Sequence, residues 1–174
     1  SDLLEYSRVG REESDLIEVS LDSIVGETAG LLDPQDQYQV VFSGSCDVVL
    51  TYATPLRQIL LNLVNNAIKH HDQPTGHIAV DAHLVRGRLN VTVQDDGPGI
   101  EPKYHEKIFG LFQTLRPRDE VEGSGLGLAI IRKLLEHYGC EIHVHSDPAS
   151  GRGTRFSFEL PEKSADVVSI KKIA

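Results

Sequence analysis

Apolar and polar residues alternate near the start of the chain and then change to a helical period. Polar residues separate Ile17, Val19 and Leu21, which predicts a short strand. Helical spacing follows over Leu21–Leu32 and stops before Pro34, because a residue that precedes proline is disfavoured in a helix. We therefore expect a strand that leads directly into a helix.

Two runs rich in β-branched and aromatic residues come next, Tyr38–Phe42 and Val48–Tyr52. Between them lies Ser43-Gly44-Ser45, whose small residues are typical of a turn. Neighbouring strand-like runs that are joined by a short turn commonly pair with each other. The pattern therefore predicts a β-hairpin in this region.

The most regular helical pattern covers Thr54–His70. It opens with Thr54-Pro55, a capping hydroxyl followed by a proline in the first turn. Its apolar residues recur at helical spacing, at Leu56, Ile59, Leu60, Leu63, Val64, Ala67 and Ile68. Full burial of each large side chain contributes about 1.5–3 kcal/mol before conformational entropy is subtracted. We therefore expect this helix to lie at the centre of the fold.

The second half of the chain predicts a hairpin, a helix and two further strands, at Ile78–Leu84 and Leu89–Val93, at about Gly125–Tyr138, and at Cys140–His145 and Thr154–Leu160. Arg86-Gly87 supplies the tight turn of the hairpin. Strands that pair mostly as hairpins, with helices inserted between them, indicate an α+β fold. The expected architecture is a two-layer α/β sandwich whose mixed, mostly antiparallel sheet is covered on one face by helices.

Composition narrows the classes of function. At 174 residues the chain is long enough for one globular domain. Its net charge of -9 argues against nucleic acid as a partner, because proteins that bind phosphate backbones concentrate Lys and Arg. Cys46 and Cys140 stand alone, which favours a reducing, cytoplasmic compartment. The chain contains no Met, so we expect it to be part of a longer protein.

Three polar residues form a stripe on the predicted central helix. Asn62, Asn66 and Lys69 are spaced by four and three residues, so they share one face away from most of the apolar positions. An Asn carbonyl oxygen can ligate Mg²⁺ without adding charge, and a Lys can lie against a phosphate. A solvated helix face explains the stripe equally well when it is taken alone.

The predicted strand that ends at Gln94 runs directly into Asp95-Asp96-Gly97-Pro98-Gly99-Ile100. By itself this segment is turn chemistry, since Pro-Gly is a strong turn pair. A functional interpretation assigns Asp96 to accept a hydrogen bond from an exocyclic amino group of a base, with Gly97 and Gly99 allowing close approach. A carboxylate in that place selects adenine over guanine.

Glycines also open the second predicted helix, at Gly123-Ser124-Gly125-Leu126-Gly127. Amides at a helix N-terminus favour an anion, which makes a phosphate cradle plausible. A dinucleotide fingerprint is disfavoured because the charged segment Arg116–Glu122 precedes the glycines where that fingerprint needs a strand. Gly151-Arg152-Gly153-Thr154 resembles a hairpin turn as much as a binding loop.

The order of these motifs resembles the catalytic domain of sensor histidine kinases within the GHKL ATPase superfamily. The resemblance covers Leu56–Leu160. Its N, G1, F, G2 and G3 boxes match Asn62–Lys69, Asp96–Gly99, Ile108–Phe112, Gly123–Gly127 and Gly151–Thr154. The resemblance implies that ATP and Mg²⁺ bind, that Asn66 coordinates the metal, and that Asp96 holds adenine. It assigns catalytic positioning to Asn62, Asn66 and Lys69, and implies nucleotide contacts by His70, Gly99, Ile100, Phe112, Arg116, Gly123, Ser124, Gly125, Leu126, Gly127 and Thr154. It also implies a mobile lid at Gln113–Glu122.

The phosphoacceptor motif of these kinases is missing from the sequence. His105-Glu106 is a near match, but its position before the F box favours a surface helix. Ser1–Gly10 resembles the end of the dimerisation hairpin, so we expect residues 1–12 to close that hairpin, 13–161 to form the catalytic domain and 162–174 to be a tail. The resemblance implies as partners the upstream dimerisation and phosphoacceptor domain and a response regulator receiver domain, in a parent homodimer.

Other functions remain open at this point. The chain could be another ATPase or a serine kinase of the same superfamily, of the anti-sigma-factor kinase type, or a module that senses ATP without transferring phosphate. Gyrase-like relatives place a catalytic Glu one turn before the metal Asn, and this chain has Asn62 there. His143 and His145 share a strand face, but without a third ligand nearby they favour solvent-facing positions over a metal site.

Overall fold

The structure is a computed structural model that describes residues 15–33, 35–113 and 124–161. Its elements, in chain order, are β1 Leu16–Ser20, α1 Leu21–Leu32, β2 Tyr38–Gly44, β3 Val48–Tyr52, α2 Ala53–Lys69, β4 Gly76–Val85, β5 Arg88–Asp95, α3 Gly127–His137, β6 Ile142–His145 and β7 Arg155–Pro161. Two single turns of 3-10 helix, Pro102–Tyr104 and Lys107–Phe109, lie between β5 and α3. His105 and Glu106 lie between these two turns with helical backbone angles, so two short 3-10 turns stand where a surface helix was expected.

Five strands form the main sheet in the order β2-β4-β5-β7-β6, and β1 pairs with β3 in a separate ribbon. β2 and β4 are parallel, and the other neighbours in the main sheet are antiparallel. The predicted mixed, mostly antiparallel sheet is therefore confirmed. The hairpin around Arg86-Gly87 is confirmed as the connection between β4 and β5.

The hairpin predicted for Tyr38–Phe42 and Val48–Tyr52 is wrong. β2 pairs with β4, whereas β3 pairs with β1, with Val19 opposite Val49. The connecting residues bond to other elements instead of to each other. Ser45 N donates to Ala82 O at 3.1 Å, and Asp47 O accepts from Leu21 N at 2.8 Å. The chain thus passes from one sheet to the other at a point where the local pattern is that of a turn.

The core lies between the main sheet and the helices. The apolar face of α2 supplies Leu56, Ile59, Leu60 and Leu63, all at most 1% exposed. α2 begins at Ala53 and follows β3 directly, and no side chain caps its first turn. The predicted capping role of Thr54 is therefore wrong, because the helix begins at Ala53 and Thr54 lies inside its first turn.

α3 covers the sheet beside α2, with Ile131 and Leu135 fully buried. The opposite face of the sheet carries exposed polar residues, at Gln39, His77, Gln94, His143 and Arg155. Among the described helices, none is long and apolar enough to cross a membrane. The layer arrangement places the last turn of α2, the end of β5 and the first turn of α3 near one another.

Candidate nucleotide-binding site

The end of β5 presents a half-buried carboxylate toward the helices. Asp95 continues the inward phase of Leu89, Val91 and Val93 on that strand. Its Oδ1 accepts from the backbone amide of Gly97 at 2.9 Å. It also accepts from the backbone amide of the residue just before β7, at 3.1 Å. Burial raises the pKa of Asp95, and these two amide donors oppose the rise. The Asp95 carboxylate is thus a hydrogen-bond acceptor at the edge of the core.

Asp96 lies next to Asp95 but faces the other way. Its Oδ1 accepts from the backbone amide of His77 at 2.8 Å and from His71 Nε2 at 2.9 Å. Burial acts upward on the pKa of Asp96, but the hydrogen bonds from His77 and His71 lower it. The side chain is 54% exposed. The carboxylate of Asp96 therefore forms its hydrogen bonds outside the core.

The loop after β5 is bonded to the turn before β7. Gly153 N donates to Gly97 O at 2.8 Å, and Ser146 Oγ donates to Gly153 O at 2.7 Å. Ser146 Oγ also accepts from Ile100 N at 2.9 Å. Gly99 has φ +82, and a Cβ there would lie 3.1 Å from Ser146 Oγ. Hydrogen bonds thus join the predicted G1 and G3 segments, and Thr154 at the end of the G3 segment is buried.

The two asparagines of the predicted stripe face the start of α3. A Cβ built on Gly127 would lie 3.3 Å from Asn62 Oδ1 and 4.0 Å from Asn66 Oδ1. Both amide oxygens therefore converge on the first turn of α3, and Asn62 and Asn66 are half-buried. Lys69 is exposed in the last turn of α2. His70 follows as the half-buried residue that closes that helix.

The glycine segment before α3 contacts the end of the predicted F box. Gly125 has φ +69, and a Cβ there would lie 2.8 Å from the carbonyl carbon of Phe112. Phe112 itself has φ +57 and is 51% exposed. Leu126 is buried, and its amide donates to Ser124 Oγ at 3.3 Å. The backbone at Gly125 therefore has no room for a side chain.

Some predicted residues lie outside the described ranges. Arg116 and Gly123 fall in residues 114–123, as does the predicted lid beyond Gln113. Ser1–Gly10 also falls outside them. His143 and His145 are exposed, and no group of three His, Cys, Asp or Glu that could hold a metal ion occurs in the described part of the chain.

Several residues of the site were not singled out from the sequence. Asp95 was detectable, because the alternation of Leu89, Val91 and Val93 continues to Asp95, and the strict Asp-x-Gly-x-Gly spacing begins at Asp95 and not at Asp96. Ser146 and the pair Asp72–Arg152 had no local signal, since their partners are distant along the chain.

The sequence matches the family model described as histidine kinase-, DNA gyrase B-, and HSP90-like ATPase over residues 51–164. The phytochrome-like protein Cph1 of Synechocystis sp. is 31% identical over 162 residues, which are 92% of this chain and 21% of that protein. Full-length ShkA in complex with AMPPNP has a TM-score of 0.79 at 30% identity, over 94% of this chain and 35% of that one. Histidine kinase ThkA in complex with response regulator protein TrrA has a TM-score of 0.69 at 27% identity, over 93% and 46%.

The family match extends across the parts of the chain that build the site. It includes α2, the end of β5 and the first turn of α3. It covers well over half of the chain, and the similar solved structures have the same fold. The chain therefore belongs to the histidine kinase-, DNA gyrase B-, and HSP90-like ATPase family.

Proposed function

We propose that this chain is the ATP-binding catalytic domain of a two-component sensor histidine kinase. It transfers the γ-phosphate of Mg-ATP to a histidine on an upstream dimerisation and phosphoacceptor domain. The proposal is supported by the family of the chain and by relatives that are histidine kinases. The structural observation that carries it is the convergence of the Asn62 and Asn66 amide oxygens on the first turn of α3.

The adenine base is proposed to bind at the end of β5, where Asp95 accepts from its amino group. A carboxylate attracts that amino group and opposes the carbonyl oxygen of guanine, so it selects ATP over GTP. This role moves from Asp96 to Asp95, because Asp95 continues the inward phase of β5 toward the helices, whereas the Asp96 carboxylate lies on the other side and accepts from His71 and His77. Gly99 allows the base to approach the backbone closely.

The triphosphate is proposed to lie between α2 and α3. Backbone amides around Gly125 and Gly127, together with the helix dipole of α3, favour an anionic group there. The amide oxygen of Asn66 suits Mg²⁺, because a hard cation prefers oxygen ligands and the phosphates supply the charged ones. When bound, Mg²⁺ neutralises charge on the transferring phosphate. Asn62 lies beside Asn66, and Lys69 supplies a cation one turn further on.

The remaining predicted contacts stay part of the proposal. The half-buried or buried candidates around the same opening are His70, Ile100, Ser124, Leu126 and Thr154. Phe112 is exposed beside Gly125 and is proposed to cover the nucleotide. Arg116 and Gly123 keep their proposed phosphate contacts, although they lie outside the described residues.

Transfer of the γ-phosphate requires little covalent chemistry from this chain. An imidazole nitrogen of the acceptor forms a P–N bond while the bond from the γ-phosphorus to the bridging oxygen breaks, and ADP leaves. Catalysis by this chain is then positioning of ATP and stabilisation of charge. ThkA is seen with a response regulator, which supports a receiver domain as the next partner. The parent protein is proposed to be a cytoplasmic homodimer.

Labelled phosphate transfer tests the proposal. The chain is mixed with ATP labelled at the γ-phosphate and with a histidine hairpin supplied in trans, and a hairpin with that His replaced by Gln is the control. We expect label on the hairpin that carries the histidine and none on the control. Label on this chain alone, or release of inorganic phosphate without transfer, would contradict the proposed kinase activity.

A further inference from the structure

A cluster of charged and polar side chains lies behind the loop that follows β5. It is formed by His71 and Asp72, which follow α2, by Asp96 in the loop, and by Arg152 in the turn before β7. Asp96 is adjacent to Asp95 in the chain but its carboxylate lies on the other side of the backbone. The cluster therefore contacts the base-binding loop from the side opposite to the proposed nucleotide.

The orientation of the His71 ring is determined by its surroundings. Nε2 lies 2.9 Å from Asp96 Oδ1 and donates to this carboxylate, while Nδ1 lies 3.0 Å from Gln73 N and 3.2 Å from Gln73 O. The side chain is 2% exposed. A Cβ on Gly76 would lie 2.6 Å from Nε2, and a Cβ on Gly97 would lie 3.4 Å from Cδ2. The ring is thus enclosed and has one donor directed at the loop.

Arg152 connects the same loop to the segment after α2. Its Nη1 and Nη2 donate to the two carboxylate oxygens of Asp72 at 3.1 Å and 2.7 Å. Its Nε donates to the backbone oxygen of Asp96 at 3.2 Å. A planar guanidinium that uses three donors in this way sets the distance between the two segments.

We propose that His71 and the Arg152–Asp72 pair are positioning residues that hold the loop so that Asp95 meets the adenine amino group. This inference rests on the proposed function. The Arg152–Asp72 pair is largely exposed, with the two side chains 54% and 31% accessible. Solvent screens an exposed ion pair, whereas the bidentate contact fixes the relative position of the two segments that it joins.

The first arm of the test measures affinity and melting temperature together. Calorimetry gives the Kd for Mg-ATP of the wild-type chain and of Arg152→Ala and Asp72→Ala. We expect each variant to weaken ATP binding about tenfold, because a displaced contact group loses much of its effect, with the melting temperature nearly unchanged. Arg57→Ala is the matched control, since it breaks an exposed pair with Glu27 far from the loop and leaves ATP binding unchanged.

The second arm tests whether His71 acts as a hydrogen-bond donor or only fills space. His71→Gln keeps an N–H donor and is expected to keep most of the ATP affinity, whereas His71→Leu keeps bulk without the donor and loses it. The double variant Asp72→Ala/Arg152→Ala is expected to be no weaker than Arg152→Ala, because Asp72 acts through Arg152. In the transfer assay, KM for ATP rises in the weakened variants while kcat stays within about twofold.

Each result decides the inference. Wild-type binding of ATP with unaltered binding by Arg152→Ala and His71→Leu would overturn the positioning role and leave the proposed function standing. Equal loss in His71→Gln and His71→Leu would likewise reject the donor. Failure of the wild-type chain to bind ATP would overturn the proposed function together with the inference.

Discussion

Asp95 and Asp96 are adjacent in sequence, but their carboxylates leave the backbone in opposite directions. Asp95 Oδ1 accepts from Thr154 N at 3.1 Å beside the core, and Asp96 Oδ1 accepts from His71 Nε2 at 2.9 Å outside it. The alternation of β5 continues one residue past its end, so the side chains of Asp95 and Asp96 point to opposite faces. The Asp95 carboxylate therefore faces the proposed base site, while the Asp96 carboxylate bonds to the segment that follows α2.

Asp95 is expected to cost stability at neutral pH. Its folded pKa is raised by burial, so the folded state binds a proton more tightly than the unfolded state does. The cost is therefore fully present above the folded pKa and disappears as the pH falls toward 3.8. Asp95→Asn keeps the acceptor oxygen for both amides and removes the charge. Thermal melting should show a higher melting temperature for Asp95→Asn at pH 7 and a smaller difference at lower pH.

An unchanged or widening difference as the pH falls would contradict this assignment. Asp96→Asn is the control for charge removal on the same loop. The folded pKa of Asp96 is lowered, so its charge favours the folded state above the ordinary carboxyl range. Asp96→Asn should therefore lower the melting temperature at pH 7, the opposite sign to Asp95→Asn.

Substitution of Gly127 tests whether the space between α2 and α3 binds the nucleotide. A Cβ at this position would lie 3.3 Å from Asn62 Oδ1, in the space where the two asparagine oxygens converge. Gly127→Ala should therefore weaken Mg-ATP binding in calorimetry without lowering the melting temperature. Gly26→Ala in α1 is the control, because that position is exposed with nothing within 4 Å. It should add about 0.5–1 kcal/mol of stability and leave ATP binding alone.

Weaker folding without weaker binding in Gly127→Ala would show that the space is filled by packing and not by ligand. The comparison is decisive because both substitutions place the same methyl group on a helix.

Asn66 is expected to account for the Mg²⁺ dependence of ATP affinity. Removal of its amide oxygen in Asn66→Ala deletes a neutral oxygen ligand but no charge. ATP titrations with Mg²⁺ and with a chelator should differ strongly for the wild-type chain and weakly for Asn66→Ala. Asn65→Ala, one residue away and also half-buried, should behave as wild type. An intact Mg²⁺ effect in Asn66→Ala would place the metal elsewhere.

The stability that the Asp72–Arg152 ion pair contributes is expected to fall in acid. The hydrogen bond from Arg152 lowers the pKa of Asp72 to about 2, from 3.8. The stability that the pair contributes is therefore fully present above 3.8 and is lost as the pH falls through about 2. Urea unfolding of wild type and Arg152→Ala should differ slightly at pH 5 and converge near pH 2. A difference that persists at pH 2 would contradict the assignment.

Much of the fold was predictable because local pattern determines it. The helical period and Pro34 delimit α1, and Arg86-Gly87 forces the turn between β4 and β5. The partner of β3 was not predictable, because both β1 and β2 precede it nearby and the bonds that separate it from β2, such as Ser45 N to Ala82 O, join residues far apart in the chain. The pairing of Asp72 with Arg152 joins residues 80 positions apart, and no local pattern links them.

The candidate site was predictable in its parts and not in its detail. The spacing of Asn62 and Asn66 on one helix face required only the helical period. The distinction between Asp95 and Asp96 required the phase of β5, which Leu89 and Val93 already indicate in the sequence. The loop contacts through Ser146 needed the tertiary structure, because a lone Ser before a turn has many roles.

Base recognition by Asp95 is the central feature of the proposed nucleotide site. Calorimetry with Mg-ATP and Mg-GTP on the wild-type chain, Asp95→Asn and Asp96→Asn compares the two carboxylates under one condition. We expect tight binding of ATP over GTP by the wild type, loss of ATP affinity and of that preference in Asp95→Asn, and a retained preference in Asp96→Asn. Equal affinity of the wild-type chain for both nucleotides, or loss of the preference only in Asp96→Asn, would contradict the account.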